Sequence, residues 1–428
     1  MARLIALTLF ALVMIASAFA QDIAVGDPVV LRATSPLGVP LHREARSSLF
    51  GRAPDGATGS VLDLAQGGRW LKLQLVDGRT GWVVSQYVAT QTDAGPTTPA
   101  IPPASADEAA VFGSREQCEQ VVRAGGRMAP RRAEALRVAT WNIRWFPNGD
   151  PREAGKETDL AWLACALAWL NPDIVALQEI LDTRQADVAW ASVIDGLEAF
   201  VGGDWRVDLH ECAGEQAQHV GFLWNAARLA LTNTRDLWQL NGAASGPSAP
   251  CANNLRPGRG AYVSALDGSA DFHIVSVHSD SGTSPRDFDH RQAGLRRLDE
   301  LFAALAQEVP DADVIVLGDF NTMGAEGRMG PAAEIALFDQ TVRAETPGYR
   351  ALMPALKCTE YFNGQCNALD HIVVTQAMQE AGDGEARVTG YCAVAGGRPI
   401  DPDAMPLVYV RLSDHCPVVV EVQSRDLD

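Results

Sequence analysis

Lysine is almost missing from this chain: Lys72, Lys156 and Lys357 are all there is in 428 residues. Arginine does not make up the deficit, because 35 basic side chains face 53 acidic ones and no stretch gathers the arginines into a track. A formal charge of -18 repels a polyanion at long range, which excludes tight or processive grip on nucleic acid. It does not exclude turnover of one, since a bound cation inverts the field locally. Apolar runs beyond residue 20, such as Leu160 to Leu170, fall well short of the ~20 residues that cross a bilayer. Cysteine is absent before Cys118, and no CxxC pair or His/Cys spacing of the zinc-binding kind occurs anywhere.

The opening twenty residues, MARLIALTLFALVMIASAFA, carry one positive side chain, Arg3, then an unbroken apolar stretch ending in Ala18 and Ala20. That is the grammar of a cleaved secretory signal with Gln21 as the new N-terminus, and it sends the product to the periplasm or exterior of a bacterial cell. In such a compartment the eight cysteines read as disulfides, for which 105 pairings exist. Cys358 and Cys366 bracket the polar turn TEYFNGQ and are placed to staple it. Cys165, inside LAWLACALAWL, is open to two readings: a disulfide partner, or a buried free thiol that leaves one other cysteine unpaired.

Residues 24–90 alternate in short pieces: Trp70-Leu71-Lys72-Leu73-Gln74-Leu75, the turn Asp77-Gly78, then Gly81-Trp82-Val83-Val84. This is hairpin grammar and predicts a small all-β module. The segment WLKLQLVDGRTGWVVSQYV resembles the end of bacterial SH3-like domains, which implies a small separate barrel and a peptidoglycan or cell-wall peptide as its ligand. Residues 91–110, rich in Pro, Thr and Ala, cannot bury enough surface to order themselves and read as a linker. Residues 111–132 are expected to hold a short connecting helix near Cys118, ahead of a large domain over 133–425.

In that large domain apolar strand-like runs end repeatedly in polar side chains. Leu136 to Trp141 leads into Asn142, Ile174 to Leu177 into Gln178-Glu179, Phe272 to Val277 into His278, and Val314 to Leu317 into Gly318-Asp319-Phe320-Asn321. Helices are predicted over 160–170, 188–200 and 291–306, with further strands at 221–224, 261–266, 371–375 and 417–422. Two packed sheets with flanking helices would bury these runs. Asp319 and Asn321, two apart at a strand end, leave on one face and present a carboxylate and an amide together. Glu179 adds a hard oxygen of the sort Mg²⁺, Mn²⁺ or Ca²⁺ prefers, and Asp414-His415 precedes another apolar strand.

The segments TWNIRWF (140–146), VALQEI (175–180), VSVHSDSG (275–282), VIVLGDFNT (314–322), ALDHIVV (368–374) and RLSDHCPVVVEV (411–422) resemble, in order, the motifs of the endonuclease/exonuclease/phosphatase superfamily, its deoxyribonuclease-like branch above all. The resemblance implies a four-layer α/β-sandwich and a divalent-metal-dependent phosphodiester hydrolase using Mg²⁺ or Mn²⁺, with Ca²⁺ a third candidate. It implies Asn142, Glu179 and Asp414 at the metal; His278, Asp319, Asn321, Asp370 and His415 as catalytic residues, Asp370 pairing with His415; and Arg259, in RPGRGAYV, on the substrate phosphate. His273 is expected to be structural, His371 to pack beneath the site, and Trp145, Phe146 and Trp224 to be core or rim residues.

The expected activity is that of an endonuclease hydrolysing DNA, with RNA the second candidate, and with little sequence preference. The alternatives are a sphingomyelinase-like or other small-phosphodiester hydrolase and a cell-wall-binding protein with an inactive enzyme fold. A lipid enzyme should carry an exposed aromatic hairpin and an inositol-phosphate phosphatase a basic cluster, and the sequence displays neither.

Overall fold

Strands build the framework of this computed structural model: apolar and polar positions alternate in the first unit, as in WLKLQL, whereas the central strands of the second are buried on both faces. The structure describes residues 23–427 apart from 33–37, 46, 48, 67–68, 77, 91–103, 130, 133, 153–154, 213–216 and 383. The expected signal peptide, most of the expected linker and Asp77 of the predicted turn therefore lie outside the described residues. The chain divides into two compact units, Met1–Thr98 and Pro99–Asp428.

In the first unit β1 (Pro28–Leu31), β2 (Val39–His42), β3 (Leu49–Ala53), β4 (Thr58–Ala65), β5 (Trp70–Leu75), β6 (Thr80–Val84) and β7 (Val88–Thr90) form one sheet. Leu71, Leu73 and Val83 alternate inward to meet Val29, Leu31, Val39 and Leu41 in its core. The predicted hairpin is present as the antiparallel β5–β6 pair, with Leu71 opposite Val83. The SH3-like barrel is not. The strand order is β3-β2-β6-β5-β4-β1-β7, and among the described residues no pairing joins β3 to β7, so the sheet stays open. A DG turn between alternating strands specifies a hairpin, which is local; closure depends on pairing two remote edges, which those residues do not encode. The cell-wall ligand rested on the barrel resemblance and loses its support with it.

The second unit opens with α1 (Ala106–Val111) and α2 (Arg115–Arg123) where a single connecting helix was expected. Then come α3 (Leu160–Leu170), α4 (Arg184–Val201), α5 (Pro285–Leu295), α6 (Leu298–Ala306) and α7 (Pro331–Ala344). Its strands are β8 (Ala135–Phe146), β9 (Ile174–Leu181), β10 (Trp205–Leu209), β11 (Gln218–Asn225), β12 (Leu229–Leu237), β13 (Gly258–Ala265), β14 (Asp271–His278), β15 (Val314–Asp319), β16 (Tyr349–Ala351), β17 (Glu360–Phe362), β18 (Gln365–Asn367), β19 (Asp370–Thr375), β20 (Arg387–Val388) and β21 (Val418–Gln423). They form two mixed sheets, β10-β11-β9-β8-β21-β20 and β12-β13-β14-β15-β19-β16, and the separate hairpin β17–β18.

The sheets pack face to face. Phe272 and Ile274 of β14, Ile315 and Leu317 of β15, and Ile372 and Val374 of β19 point inward to a core shared with Val138 and Val175. Their neighbours Val275, Val277, Val314, Val316 and Val373 point outward against Leu298, Leu301, Leu305 and Phe338 of α6 and α7. Each such fully buried aliphatic side chain stabilises the fold by roughly 1.5–3 kcal/mol, and Leu317→Ala would cost about 2–5 kcal/mol. On the far side α3 is apolar all round because it is buried all round. The Asp159 side chain caps it by accepting from the Trp162 amide, and Asn171, at φ 50°, ends it.

Disulfides join Cys118–Cys165, Cys212–Cys251, Cys358–Cys366 and Cys392–Cys416, leaving no free thiol among the described residues. Cys165 thus ties α3 to α2 instead of standing as a buried thiol.

Candidate functional site

Three adjacent strands deliver a row of polar side chains by register alone. β14 and β15 run parallel with His278 opposite Asp319, and β15 and β19 run antiparallel with Asp319 opposite Asp370. Asp319 and Asp370 keep the inward parity of Ile315, Leu317, Ile372 and Val374, so the core face of the sheet becomes the site at its rim. Glycine at 318 permits this spacing: its φ is 148°, and a Cβ there would meet the Val277 carbonyl oxygen.

The facing sheet supplies Asn142 from β8 and Glu179 from β9. Glu179 has φ 61°, which breaks the strand's alternation so that neighbours serve the same side. Gln178 Nε2 donates to Ser276 Oγ at 3.1 Å, while Glu179 Oε1 accepts from Asn142 Nδ2 at 3.2 Å. Gln178 Oε1 in turn accepts from Thr140 Oγ1 at 3.1 Å, making a buried polar bridge between the sheets.

The loop before β21 brings in His415. Ser413 Oγ donates to the Asn142 carbonyl at 2.7 Å and accepts from the His415 amide at 3.1 Å, and Trp141 Nε1 donates to the His415 carbonyl at 3.1 Å. The ring is fixed by Asp370, whose Oδ2 lies 2.9 Å from His415 Nδ1.

Asp319 Oδ2 is the hub. Asn142 Nδ2 donates to it at 3.1 Å, His278 Nε2 lies 3.5 Å away and His415 Nε2 3.8 Å away. Its other oxygen accepts from the Asn321 amide at 2.9 Å. Asn321 adopts φ 52°, and its side-chain amide is spent on the Ser279 carbonyl, so this residue holds the turn around Asp319. Asp414, partly exposed, has one carboxylate oxygen 3.3 Å from Ser413 Oγ.

Burial sets the charges. It pushes the Asp319 carboxyl up to about 7, against the pull of protonated His415. Burial, with Asp414 alongside, also raises Glu179. Burial alone would lower His415, but Asp370 and Asp319 hold it well above the usual imidazole range. His278 goes the other way: burial, then Arg256 and His415, keep it well below that range, and Asp319 at 3.5 Å does not offset them. Their surroundings thus push the two imidazoles beside this one carboxyl group in opposite directions.

Asp319, Asp370 and His415 offer ligand atoms that all lie within 4.8 Å of one another, a candidate metal-holding group. The donors fit a hard divalent cation. Asp370 gives Oδ2 to His415 and keeps Oδ1 buried without a hydrogen-bond partner; Asn142 Oδ1 is likewise buried and unpartnered, because the amide donates only through Nδ2. Such orphaned oxygens beside acidic groups are what a cation satisfies.

Of the residues singled out from the sequence, Asn142, Glu179, His278, Asp319, Asp370 and His415 converge here. Arg259 is engaged elsewhere. Its Nε and Nη2 donate to Asp208 at 2.6 and 2.9 Å and its Nη1 to Asp236 at 2.9 Å, a buried structural ion pair. The guanidinium facing the site is Arg256, three residues earlier in RPGR. It is half-buried, its Nε has no hydrogen-bond partner, and the carboxylates that act on it are Glu179, Asp319 and Asp280. Both arginines lie in RPGR, and nothing in those four residues distinguishes the one held by carboxylates from the other. Glu360 was also missed: burial raises it to about 8, and His415, Asp414 and Asp319 all act on its charge. Beside Asp280, two residues beyond His278, a cavity of about 300 Å³ is lined by Asn253, Asn254, Asp280, Arg286 and His290. His273 and His371 are structural, bonded to the Val309 carbonyl and Thr322 Oγ1.

A family model described as "Endonuclease/Exonuclease/phosphatase family" matches residues 139–415. No curated protein matches the chain. Among solved structures it is similar to an endonuclease/exonuclease/phosphatase from Bacteroides vulgatus, at 14% identity and TM-score 0.47 over 69% of this chain and 100% of that one. It is similar also to the mannosyl-6-phosphatase Bt3783 of Bacteroides thetaiotaomicron (16% identity, TM-score 0.44, 67% of this chain and 99% of that one). A third is D. rerio TDP2 complexed with a single-strand DNA product (16%, 0.42, 68% and 99%).

Proposed function

We propose a nuclease role for this chain, which belongs to the Endonuclease/Exonuclease/phosphatase family. It is a divalent-metal-dependent phosphodiester hydrolase, and Asp319, Asp370 and His415 are the candidate metal-holding group within that fold, of which the two carboxylates stay available as ligands when His415 is protonated. On our reading its substrate is DNA or RNA, cut with little sequence preference in the periplasm or outside the cell, with Mg²⁺ or Mn²⁺ as the ion. Among the described residues no helix is long and apolar enough to cross a membrane.

One observation carries the reading: Asp319 Oδ2 stands between two imidazoles, with His278 Nε2 at 3.5 Å and His415 Nε2 at 3.8 Å. Hydrolysis of a diester asks for a group that holds and deprotonates water, a positive donor for phosphoryl oxygens, and a proton for the departing alkoxide. Asp319 takes the first role, aligned by the Asn321 amide and Asn142. Protonated His415 takes the second and third, held by Asp370. His278, buried and with no partner at Nδ1, is free to make a hydrogen bond to water or substrate. Arg256 grips a non-bridging oxygen in place of Arg259. A bound divalent ion would be held by Asp319, Asp370 Oδ1, Asn142 Oδ1 and Glu179, and when bound it neutralises charge on the phosphoryl group. As the new bond from water to phosphorus forms, the bond to the ester oxygen breaks, with one proton leaving the water and another reaching the alkoxide.

The acidic surface accords with brief, salt-sensitive capture of backbone phosphates, not storage of the polymer. The test is a parallel assay on duplex DNA, single-stranded DNA, RNA, sphingomyelin and inositol phosphates with Mg²⁺, Mn²⁺ or Ca²⁺. Nucleic acid cut faster than the other substrates is the expected result; sphingomyelin or inositol phosphate preferred over every nucleic acid overturns the reading.

A further inference from the structure

The hairpin β17–β18 sits against the loop that carries His415. Glu360 forms an isolated backbone bridge with His415, the Tyr361 amide donates to the Asp414 carbonyl at 3.0 Å, and the Cys416 amide donates to the Thr359 carbonyl at 2.8 Å. Its turn is Asn363-Gly364, with φ 48° and 70°, the two-residue arrangement that Asn-Gly favours between twisted strands. The Cys358–Cys366 disulfide closes its base. A three-residue strand is thereby held firmly at the edge of the catalytic group.

Alternation along β17 assigns its faces. Tyr361 is fully buried, and its hydroxyl donates to the Arg398 carbonyl. Glu360 and Phe362 share the other face, and Glu360 is the residue bridged to His415. Phe362 follows it outward at 61% exposure, so an exposed aromatic hairpin, expected of a lipid enzyme and not recognised in the sequence, is present in the fold. At a rise of ~3.3 Å per residue, Phe362 lies about 7 Å along the strand from the residue bridged to His415. An aromatic ring at that offset offers a face for a base adjoining a phosphate held at His415, the kind of platform on which single strands stack.

From this juxtaposition we propose that Phe362 is a stacking platform for an unpaired nucleobase next to the scissile phosphate, so that the enzyme favours single-stranded or unstacked nucleic acid. The proposal rests on the nuclease reading above and deepens it. An exposed phenylalanine alone means little. Here it is braced by a disulfide and a tight turn on the face that leads from the catalytic histidine, which removes the ordering cost a mobile side chain would carry into binding. The chain's charge of -18 supplies the complementary reason: Coulomb attraction contributes little to capture of a polyanion, whereas stacking on a π-face is indifferent to charge and to base identity.

The experiment uses the full chain with Mg²⁺ and three substrates: a single-stranded oligodeoxynucleotide, the same backbone with abasic residues, and sphingomyelin in phosphatidylcholine vesicles. The expected result is that Phe362→Ala raises KM for the base-bearing strand about tenfold with kcat little changed, leaves KM for the abasic strand unaltered, and is rescued by Phe362→Trp. If the unaltered protein cuts the base-bearing strand and Phe362→Ala does so with the same KM, the stacking role is wrong while the nuclease reading stands. If the unaltered protein cuts neither strand but cleaves sphingomyelin in a Phe362-dependent way, the nuclease reading itself fails and the residue docks on a lipid surface. A loss of kcat on both strands that Phe362→Trp does not rescue assigns the hairpin a purely structural role and overturns the proposal.

Discussion

Asp370 uses its two oxygens differently: Oδ2 fixes His415 at 2.9 Å from Nδ1, and Oδ1 is left buried, without a hydrogen-bond partner and available to a cation. One carboxylate therefore couples the charge of the imidazole to the occupancy of the metal-holding group. Removing it should disturb both at once.

For Asp370→Asn the expected outcome is a fall in kcat of at least a hundredfold together with a shift in the pH profile. Asp370 and Asp319 raise His415, so the charged ring persists to high pH in the unaltered protein. Without Asp370 the basic limb of kcat should move to lower pH. A slowed enzyme whose basic limb stays where it was would separate Asp370 from the charge on His415.

Chelation should abolish hydrolysis and added Mg²⁺ or Mn²⁺ should restore it. Glu179→Gln should then raise the metal concentration needed for half-maximal rate by ten- to a hundredfold, on the order expected when one hard donor is lost. Full activity after exhaustive chelation, confirmed by elemental analysis of the protein, would remove the metal from the reaction.

The two arginines of RPGR should respond differently. Arg256→Ala is expected to lower kcat/KM by about ten- to a hundredfold without a change in melting temperature. Arg259→Ala strands Asp208 and Asp236 and should cost about 3 kcal/mol of stability. Melting curves beside kinetics decide it: equal melting temperatures for the two variants would contradict the division of labour.

Acid should weaken the fold through His210. This ring stacks on His219 with centroids 4.3 Å apart, accepts from the Val220 amide, and is pushed down to about 3, chiefly by burial and then by the charge of its neighbour. In the unfolded chain it takes up a proton near 6.5, in the folded chain only near 3, so stability is full above about 6.5 and declines as pH falls through that window. His210→Asn, which keeps an acceptor without a titrating ring, should flatten the decline of melting temperature between pH 6.5 and pH 4. An unchanged slope would assign the acid sensitivity to other groups.

Where the sequence was legible, the reason is locality. The helix predicted over 160–170 spans those same residues as α3, and the runs ending in Asn142, Glu179, His278 and Asp319 are β8, β9, β14 and β15, because an apolar run and the polar residue at its end are written within a few positions. Asp319 and Asp370 face inward for the same reason that Leu317 and Ile372 do. What escaped depends on remote partners. Arg256 and Arg259 differ only in which carboxylates the fold brings near, Asp208 and Asp236 being about fifty and twenty residues away in sequence. The open first sheet turned on whether β3 meets β7, and Phe362 matters only because Glu360 is bridged to His415, from the far side of β19 in sequence. The helix expected over 291–306 is two, α5 and α6, broken at Arg296 and Arg297, where the pattern of apolar residues gives no warning.

The Thr140–Gln178–Ser276 bridge bears on how this scaffold can change. Thr140 orients Gln178 within one sheet and Gln178 donates across to Ser276 of the other, so a slide of one sheet past the other would strand the buried Gln178 amide and Ser276 hydroxyl in a dry interior. The gap separating Glu179 from Asp319 is consequently a fixed gauge, like the jaw setting of a locked caliper. Variants with a new appetite for substrate are to be sought in the loops around Arg256 and Phe362, which can be recut without loosening the jaws.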